Sequence, residues 1–561
     1  MESFRNLLIL QEIYQNPTGT SSFLFILIVT INYSVLYAAK KAVISLTKLK
    51  NKKTVAVVDI GSSIVKMIVA EQRNNQIYRI DTLKRPLNLG HEVFYDGTIS
   101  FECIKELCQI LTDYRQVMEE YHVKDFTVLA TSAFREAKNQ KFALDQIKVK
   151  TGISVLVCDD STEKSLIYYE AIRAVQKHDG LTDGKKTLIS HTGTGSTGLC
   201  IHEDDSITFC QILSMGSLKI HDMLDDADAS NSAFDEAAEE YLDAVFSNIV
   251  MPFPSKMIDN LVMTGNEMDL IAKLCDVKPE GDLYRISGDA ILKLVNQTQN
   301  SSLEQLSLNF DISEERAELL YSTLSIFFRL MKLTQADEIL IPKIELADAF
   351  LSKLLFRNWE SRYHSYMEQS ALACAETFAA RYDCDAGHYN LVREHCVKLF
   401  DRLKRLHGFT DHHRVILQVA AILHDSGYFV NAKGGCSTEL IRDLDICGLT
   451  GEDMKLAAVI ANFTELWEPN FDGIGFLTFT EEEVLICSKL TAIFRLANSL
   501  DKSKKHKLKE ISVKLRGDEL LISGVCDQNL YLEKWAVSHC APFFKSSFGL
   551  QPVLQLKSTM I

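Results

Sequence analysis

The sequence has little proline and no ordered cysteine pattern. Only nine of its 561 residues are proline, and this composition argues against long disordered linkers. Its fourteen cysteines are scattered and include no Cys-x-x-Cys pair, which is unlike a disulfide framework or a zinc ribbon. We therefore expect a mostly folded chain of roughly two to four domains, with its main body in a reducing cytoplasm.

Basic residues are outnumbered by acidic ones. The chain holds 60 lysines and arginines against 75 aspartates and glutamates, a formal net charge of -15. Such a surface repels a nucleic-acid backbone, so the composition speaks against a nucleic-acid partner. A polyanionic substrate would need a groove in which basic residues are gathered.

One long apolar run without charge occurs, at residues 22–39. A helix of about 17 to 25 apolar residues spans a bilayer. By the positive-inside rule, the lysines that follow would keep the main body in the cytoplasm: Lys40, Lys41, Lys48, Lys50, Lys52 and Lys53. We predict a membrane-anchoring helix within an N-terminal segment, residues 1–50. The alternatives are a buried or interfacial helix, or an extension upstream of the true start.

From Thr54 onward, β-rich and helical stretches alternate. Three β-rich runs, TVAVVDIGSS, IVKMIVAEQ and IYRIDTLK, indicate an antiparallel meander, and the later alternation is typical of a sheet with crossover helices. The opening pattern returns in TLISHTGTGSTGLCI, where His191 follows Asp59 by 191 - 59 = 132 residues. This repeat predicts an α/β fold with two copies of an actin-like (ribonuclease H-like) subdomain, at residues 51–180 and 181–358.

Beyond residue 358 the signals are helical. Successive amphipathic stretches predict an all-α domain at residues 359–508. The last part, residues 509–561, contains the β-like run EISVKLRGDELLISG, which predicts a small α+β cap.

Two glycine-rich turns stand at equivalent places in the repeat. Glycine lets backbone N–H groups approach an anion closely, and serine and threonine hydroxyls add further donors. One such turn alone is usually a hairpin, but two copies at subdomain spacing favour a phosphate site. The candidate phosphate-binding residues are Gly61, Ser62, Ser63, Gly193, Thr194, Gly195, Ser196 and Thr197.

Two strings carry a resemblance to a known family. AVVDIGSSIVKMIVA matches the motif Asp-Ile-Gly-Ser-Asn-Ser followed by a basic residue, here Lys66, with Ser63 in place of the asparagine. ATSAFREAKN follows the string Ala-Thr-Ser-Ala-x-Arg-x-Ala-x-Asn. The chain thus resembles the Ppx/GppA family of exopolyphosphatases and guanosine pentaphosphate phosphohydrolases. The resemblance implies that Lys66 and Arg135 bind phosphate, since an arginine fork can hold two phosphate oxygens.

A third string supplies the candidate catalytic residue. The family has Ser-Gly-x-Glu-Glu-Ala-x-Leu-Ile-Tyr where this chain has DDSTEKSLIY. In this alignment Glu163 takes the second glutamate and Thr162 replaces the first. The resemblance implies that Glu163 is the general base that takes a proton from the attacking water. A solvated glutamate at a helix N-terminus is the alternative.

The second glycine loop departs from the family pattern. Asp-x-Gly-Gly-Gly-Ser-Thr-Glu-Leu appears here with His191 and Gly198 at the two acidic positions. The family's acids imply Mg²⁺ (or Mn²⁺), because these hard cations prefer oxygen ligands. Asp59 remains as the candidate metal ligand, and whether Asp159 or Asp160 supplies another is open.

Two functions follow from these motifs. The first is hydrolysis of a phosphoanhydride, which would release terminal phosphate from polyphosphate or from guanosine pentaphosphate (pppGpp). Glu163, Arg135 and both glycine loops favour it. The second is a catalytically weakened protein that binds and senses polyphosphate or guanosine polyphosphates, and the replaced acids at His191 and Gly198 favour that function.

The helical half resembles an HD-type domain. The resemblance is carried by the strings LQVAAILHDSGYFVN, GHYNLVREHC and FRLANSLDKSK. It implies a divalent-metal site on His388, His424, Asp425 and Asp501. Cys436 and Thr464 stand where the family usually has two further histidines, and Asn498 replaces an aspartate. We therefore predict a structural role or a remnant metal site ahead of HD catalysis. Family members often pair through this half, so the resemblance also implies a homodimer.

Overall fold

The computed structural model describes residues 53–178, 184–224, 231–299, 301–431, 436–463 and 479–556. The predicted anchor at residues 22–39 lies outside these ranges. Within them, no helix combines the length and the apolar character that crossing a membrane requires.

The first sheet has five strands: β1 (Thr54–Ile60), β2 (Ile64–Arg73), β3 (Gln76–Pro86), β4 (Asp125–Ala130) and β5 (Leu156–Val157). Their order is β3-β2-β1-β4-β5, with β1 to β3 antiparallel and β4 and β5 parallel to β1. Along β1, Val55 and Val57 enter one core, and Ala56 and Val58 the other, because successive side chains of a strand point to opposite faces. The sheet is therefore covered on both sides.

The helices of residues 53–178 are α1 (Leu89–Asp96), α2 (Phe101–Glu120), α3 (Ser132–Glu136), α4 (Gln140–Thr151) and α5 (Asp160–Gln176). α2 packs into one core of the sheet and α5 into the other. Asp159 begins α5, because its side chain accepts a hydrogen bond from the N–H of Thr162 at 2.9 Å. Such a cap satisfies a donor that the first helical turn leaves open.

The second sheet has six strands: β6 (Thr187–Thr192), β7 (Thr197–Glu203), β8 (Ser206–Leu213), β9 (Asn260–Gly265), β10 (Leu283–Ser287) and β11 (Glu338–Pro342). Their order is β10-β11-β9-β6-β7-β8. Read from its other edge, the run β8-β7-β6-β9-β11 repeats β3-β2-β1-β4-β5 with the same antiparallel and parallel pairings. The predicted duplication of an actin-like subdomain is confirmed.

The helices that accompany the second sheet are α6 (Ser217–Leu224), α7 (Asn231–Ser247), α8 (Met268–Leu274), α9 (Gly288–Gln299), α10 (Leu303–Phe310), α11 (Glu314–Lys332) and α12 (Leu346–Leu355). A short 3₁₀ helix also covers Ser255–Met257. α12 crosses back to pack on β1, where Asp348 accepts hydrogen bonds from Arg79 of β3 at 2.7 and 2.8 Å. The end of the second subdomain thus ties the two subdomains together.

The remaining described helices form the helical half: α13 (Trp359–Arg381), α14 (Ala386–His407), α15 (Asp411–Leu423), a 3₁₀ turn (Ser426–Phe429), α16 (Ser437–Arg442), α17 (Gly451–Asn462) and α18 (Glu481–Ser499). The tail adds β12 (Ile511–Arg516), β13 (Glu519–Gly524), α19 (Tyr531–Phe548) and β14 (Gln551–Leu556). Because β12, β13 and β14 form one sheet, the predicted α+β cap is present.

The helical half makes hydrogen bonds to α5. Trp359 of α13 donates its Nε1–H to Glu170 of α5 at 2.7 Å, and the N–H of Gly448 donates to Ser165 Oγ at 3.0 Å. Residues 163–172 of α5 are all buried, as in a helix enclosed on every side. The first turn of α5, which carries Glu163, is therefore held firmly in position.

Candidate active site

The two glycine-rich turns share one backbone geometry. In the first, the N–H of Gly61 donates to the carbonyl of Ile64 at 3.0 Å, and in the second the N–H of Gly193 donates to the carbonyl of Ser196 at 3.0 Å. Each turn joins the first two strands of its own sheet. The two loops are therefore structural repeats as well as sequence repeats.

The turns meet across the cleft between the subdomains. Thr194 donates its hydroxyl to Ser62 Oγ at 2.9 Å, and Ser62 Oγ lies 3.2 Å from Ser132 Oγ at the start of α3. Gly195 packs against the same serine, because a Cβ on it would lie 2.8 Å from the Cβ of Ser132. Three hydroxyl groups from three elements thus cluster where the sequence predicts a phosphate site.

Close approach of the backbone explains two other glycines. A Cβ on Gly90, at the start of α1, would lie 2.6 Å from the Cβ of Ser62. A Cβ on Gly216, just before α6, would lie 2.3 Å from the carbonyl carbon of Thr194. In each subdomain, the turn after the third strand thus packs directly against the phosphate loop of that subdomain and fixes its position.

Arg135 lies in the cleft as the resemblance implies, but it already has partners. One guanidinium nitrogen donates to the carbonyl of Cys158 at 2.7 Å and to Glu163 Oε2 at 3.0 Å. The other terminal nitrogen donates to Asp160 Oδ1 at 3.1 Å. The guanidinium is therefore oriented before any phosphate arrives, and a phosphate would share it with these carboxylates.

Two residues of α5 complete this network: Asp160, which the sequence offered only as a possible metal ligand, and Lys164, which the sequence analysis did not single out. Lys164 is buried, and its Nζ lies 3.2 Å from Asp160 Oδ1 and 3.3 Å from Glu163 Oε1. Ser196 of the second loop donates its hydroxyl to Asp160 at 2.9 Å. Although burial works in the opposite direction, Lys164 and Arg135 hold the pKa of Asp160 below its usual value. The signal in the sequence is a lysine four residues after an aspartate, at the start of a helix.

Asp59, the predicted metal ligand, lies at the end of β1. Its Oδ1 is buried and has no hydrogen-bond partner among the described residues. Burial, together with the nearby carboxylates of Glu163 and Glu345, raises the pKa of Asp59 to about 7, although Lys66 acts in the opposite direction. Lys66, a predicted phosphate ligand, pairs with Glu345 at 2.5 Å.

His191 is a neutral neighbour of Glu163. Burial, followed by the charge of Lys164, lowers its pKa well below the usual value. Thr264 donates its hydroxyl to the carbonyl of Ser190 at 3.1 Å and lies 2.9 Å from His191 Nδ1. Nδ1 therefore donates to Thr264, and Nε2, 4.0 Å from Glu163 Oε1, carries the free lone pair.

The other predicted loop residues differ in exposure. Ser63 is partly exposed at the mouth of the first turn. Thr197 is fully buried at the start of β7, and its hydroxyl has no hydrogen-bond partner within the described ranges. Ser62 and Thr194 are thus the loop hydroxyls that the structure brings together, whereas contact between phosphate and Thr197 stays a prediction.

The residues around Asp59 do not fit a divalent cation. Asp159 is used as the cap of α5, and Asp160 already accepts from Ser196, Arg135 and Lys164. In the described part of the chain, no group of three possible ligand atoms gathers beside Asp59. The carboxylates of Glu163 and Glu345 lie near Asp59, but they pair with Arg135 and Lys66. Among the described residues, no carboxylate without a cationic partner therefore stands beside Asp59 in place of the family acids missing at positions 191 and 198.

The helical half does bring its predicted residues together. Ligand atoms of His388, His424 and Asp425 all lie within 4.8 Å of one another. His424 donates its Nδ1–H to the carbonyl of Ala421 at 2.8 Å, which leaves its Nε2 buried and without a hydrogen-bond partner in the described structure. Asp501 Oδ2 lies 2.8 Å from His388 Nδ1, as carboxylates that orient metal-binding histidines do.

One feature opposes a cation at this cluster. The ammonium group of Lys504 contacts Asp425 Oδ2, so the carboxylate already has a positive partner. Cys436 is described and lies at the start of α16, whereas Thr464 lies outside the described residues. The geometry thus fits a metal site of three residues in which Lys504 competes with the cation for Asp425.

Family models match both halves of the chain. The model described as "Ppx/GppA phosphatase family" matches residues 68–355, and the model described as "Ppx/GppA phosphatase, domain III" matches residues 372–537. The second description does not name an HD-type domain, so that assignment of the helical half stays a prediction.

Curated proteins and solved structures that are similar to this chain were also found. A guanosine-5'-triphosphate,3'-diphosphate pyrophosphatase of Aliivibrio fischeri is 21% identical over 409 residues, covering 70% of this chain and 77% of the relative. A putative exopolyphosphatase of Haemophilus influenzae is 25% identical over 166 residues, covering 30% and 50%. Among solved structures, an exopolyphosphatase from Cytophaga hutchinsonii has 20% identity and a TM-score of 0.48, covering 54% of this chain and 98% of that one. An Aquifex aeolicus family member has 21% identity and a TM-score of 0.46, covering 54% and 97%.

With its duplicated subdomains, paired glycine loops and matches to the family models in both halves, the chain belongs to the Ppx/GppA phosphatase family.

Proposed function

We propose that the chain hydrolyses a terminal phosphoanhydride bond, with polyphosphate or guanosine pentaphosphate as substrate. The observation that carries this proposal is the contact between the two phosphate loops, in which Thr194 donates to Ser62 at 2.9 Å. Loops from both subdomains converge there on one point, beside Arg135. A terminal phosphate bound at that point has donors on several sides, and the rest of its chain extends out of the cleft.

The cations of the cleft are positioned in advance. Arg135, Lys66 and Lys164 each have a carboxylate partner at 2.5 to 3.3 Å. Groups that are already oriented cost little reorganisation when charge develops on a transferring phosphoryl group. In this acidic protein, the three cations supply N–H donors for a polyanion, and each cation shares them with its carboxylate partner.

Two carboxyl groups are candidates to take the proton of the attacking water. Glu163 is the residue that the motif implies, and its two oxygens lie next to Arg135 and Lys164. Asp59 has an unpartnered oxygen within the described structure and a pKa of about 7, which is the range that suits a general base at neutral pH. Water attacks the terminal phosphorus, the bridging P–O bond breaks, and the shortened phosphate chain leaves as the proton passes to the carboxylate.

Phosphate release tests the proposal and assigns the base. The full chain is incubated with long-chain polyphosphate and with pppGpp, with EDTA, Mg²⁺ or Mn²⁺, beside Glu163→Gln and Asp59→Asn. We expect release from at least one substrate and its loss in Glu163→Gln. Retained release in Glu163→Gln, with loss in Asp59→Asn, would make Asp59 the base instead.

A second function is binding without turnover, as a sensor of polyphosphate or guanosine polyphosphates. The observation that favours it is the engagement of both Glu163 oxygens by cations, because each oxygen already has a partner where the attacking water would have to bind. In the same assay, tight substrate binding without phosphate release under every metal condition would select this function.

A further inference from the structure

Lys164 is a buried lysine inside the proposed phosphate site. Its side chain is only 2% exposed, and a buried ammonium is costly unless it is paired. Both of its contacts are with carboxylates, Asp160 and Glu163. These contacts fix a positive charge in the cleft.

The stem of Lys164 also explains why position 198 is glycine. A Cβ on Gly198 would lie 2.9 Å from Lys164 Cγ, 3.0 Å from its Cδ and 2.3 Å from Tyr168 Oη. No ordinary Cβ contact is that short, so any side chain at this position would displace the lysine and the tyrosine. Lysine at 164 and glycine at 198 therefore belong to one packing arrangement.

The charge of the site changes with this arrangement. The motif strings have aspartate, glutamate and alanine where the chain has His191, Gly198 and Lys164. With His191 neutral, the sum of charges at these positions goes from -2 to +1. The difference of three positive charges is comparable to the charge that a divalent cation would bring.

The ammonium group lies beside the second phosphate loop. A Cβ built on Gly193 would lie 3.9 Å from Lys164 Nζ, and the carboxylates that Nζ contacts, Asp160 and Glu163, are also those held by Arg135. An ammonium has three N–H donors. Two are directed to these carboxylates, which leaves one for a phosphate oxygen.

We propose that the ammonium group of Lys164 takes the place of a divalent cation in this cleft, so that a phosphate chain binds there without Mg²⁺. This inference rests on the proposed function, since it concerns the same phosphate site. Lys164 thereby holds the terminal phosphate against the loops. Its positive charge also offsets the negative charges of Asp160 and Glu163, which would otherwise repel a polyanion.

Calorimetric titration of the full chain with inorganic triphosphate tests the proposal. We expect the dissociation constants in EDTA and in Mg²⁺ to agree within about threefold, whereas a metal-bridged site would lose at least about tenfold in EDTA. Lys164→Met should weaken binding at least about tenfold. The matched control is Lys177→Met, an exposed lysine at the end of the same helix, which should leave binding unchanged.

The outcomes separate the two proposals. Binding of the unmodified chain only with Mg²⁺ would overturn the role of Lys164 and leave the proposed function standing. Absence of triphosphate binding in both conditions would overturn both. If the circular dichroism spectrum shows that Lys164→Met does not fold, Lys164→Gln takes its place, because its amide can still hydrogen-bond to the carboxylates. Unchanged triphosphate binding in a folded variant would contradict the proposal.

Discussion

Asp59 lies where β1 enters the first phosphate loop, and its ionisation is linked to folding. The pKa of Asp59 is about 7 in the folded state and has its usual value of 3.8 in the unfolded state. At a pH between these two values, the carboxyl group is therefore protonated in the folded state and ionised in the unfolded state. The free energy of unfolding therefore falls as the pH rises from about 4 to 7.

Asp59→Asn should remove this dependence. We expect the variant to be more stable than the unmodified chain at pH 8, by roughly 4 kcal/mol if the full shift of the pKa is realised, and nearly equal to it at pH 4. Urea denaturation at both pH values measures the difference. The control is Asp145→Asn, at an exposed position of α4, and equal effects of the two substitutions would contradict the account.

Substitution of Arg135 tests whether its guanidinium group is needed for phosphate release. Arg135→Lys keeps the charge but cannot reach Cys158, Glu163 and Asp160 together. We expect kcat/KM for phosphate release to fall at least about tenfold. Arg115→Lys, which changes an arginine that donates to the carbonyl of Thr151 outside the cleft, should leave the rate unchanged, and equal losses would argue against a role in the cleft.

At this scale the sequence predicts the loops and Arg135 but not their partners. Matching strings place Ser62, Thr194 and Arg135 at the site because each follows a strand. Asp160 and Lys164 depart from the family string at their positions, and their role depends on a side-chain network that spans three elements. The pKa of Asp59 likewise arises from burial and from Glu345, a residue distant in sequence.

At the scale of elements, α5 and β7 approach each other closely at Gly198. Gly198→Ala would place a Cβ against Tyr168 Oη and the stem of Lys164, both buried. We expect a loss of about 2 to 3 kcal/mol in the free energy of unfolding, since overpacking a filled core costs about that much.

The matched control for this glycine is Gly451→Ala. Its Cβ would meet nothing within 4 Å, and alanine is a better helix former at the start of α17. Urea denaturation of both variants should separate them clearly. A neutral Gly198→Ala would show that Lys164 and Tyr168 can move aside, and would weaken the packing argument.

The ends of α14 and α15 carry the histidine cluster of the helical half. Removing the positive partner of Asp425 should free its carboxylate, so Lys504→Met is expected to strengthen Zn²⁺ binding by about tenfold. Calorimetric titration measures it, with the exposed Lys505→Met as control. No binding by either variant or by the unmodified chain would assign His388, His424 and Asp425 a structural role.

Element types were easier to predict than their lengths. The apolar run SVLVCD, residues 154–159, has the pattern of a full strand, yet β5 covers only Leu156–Val157, because it lies at the edge of its sheet and pairs on one side. Residues 141–149 have a helical pattern, and α4 extends beyond them at both ends, over Gln140–Thr151. Periodicity indicates an element's core, whereas caps and sheet position decide where it ends.

Across the whole molecule, the duplication was predictable and the contact between halves was not. Asp59 and His191 each lie two residues before the first glycine of a similar turn, and this repeat indicates two copies of one subdomain. The hydrogen bond from the N–H of Ile212 in β8 to Asp445 of the helical half, at 2.7 Å, joins residues that no local pattern connects. Since the same half also holds α5 through Trp359, the site depends on the intact chain.

Release of the terminal phosphate is the central claim of this account. Polyphosphate labelled at its ends with ³²P, incubated with the full chain, tests it most directly when the products are separated by length. We predict that the label appears as inorganic phosphate while the remaining chains shorten only slightly, and that Glu163→Gln abolishes this. Label that stays on polyphosphate, or that appears in long fragments, would contradict it.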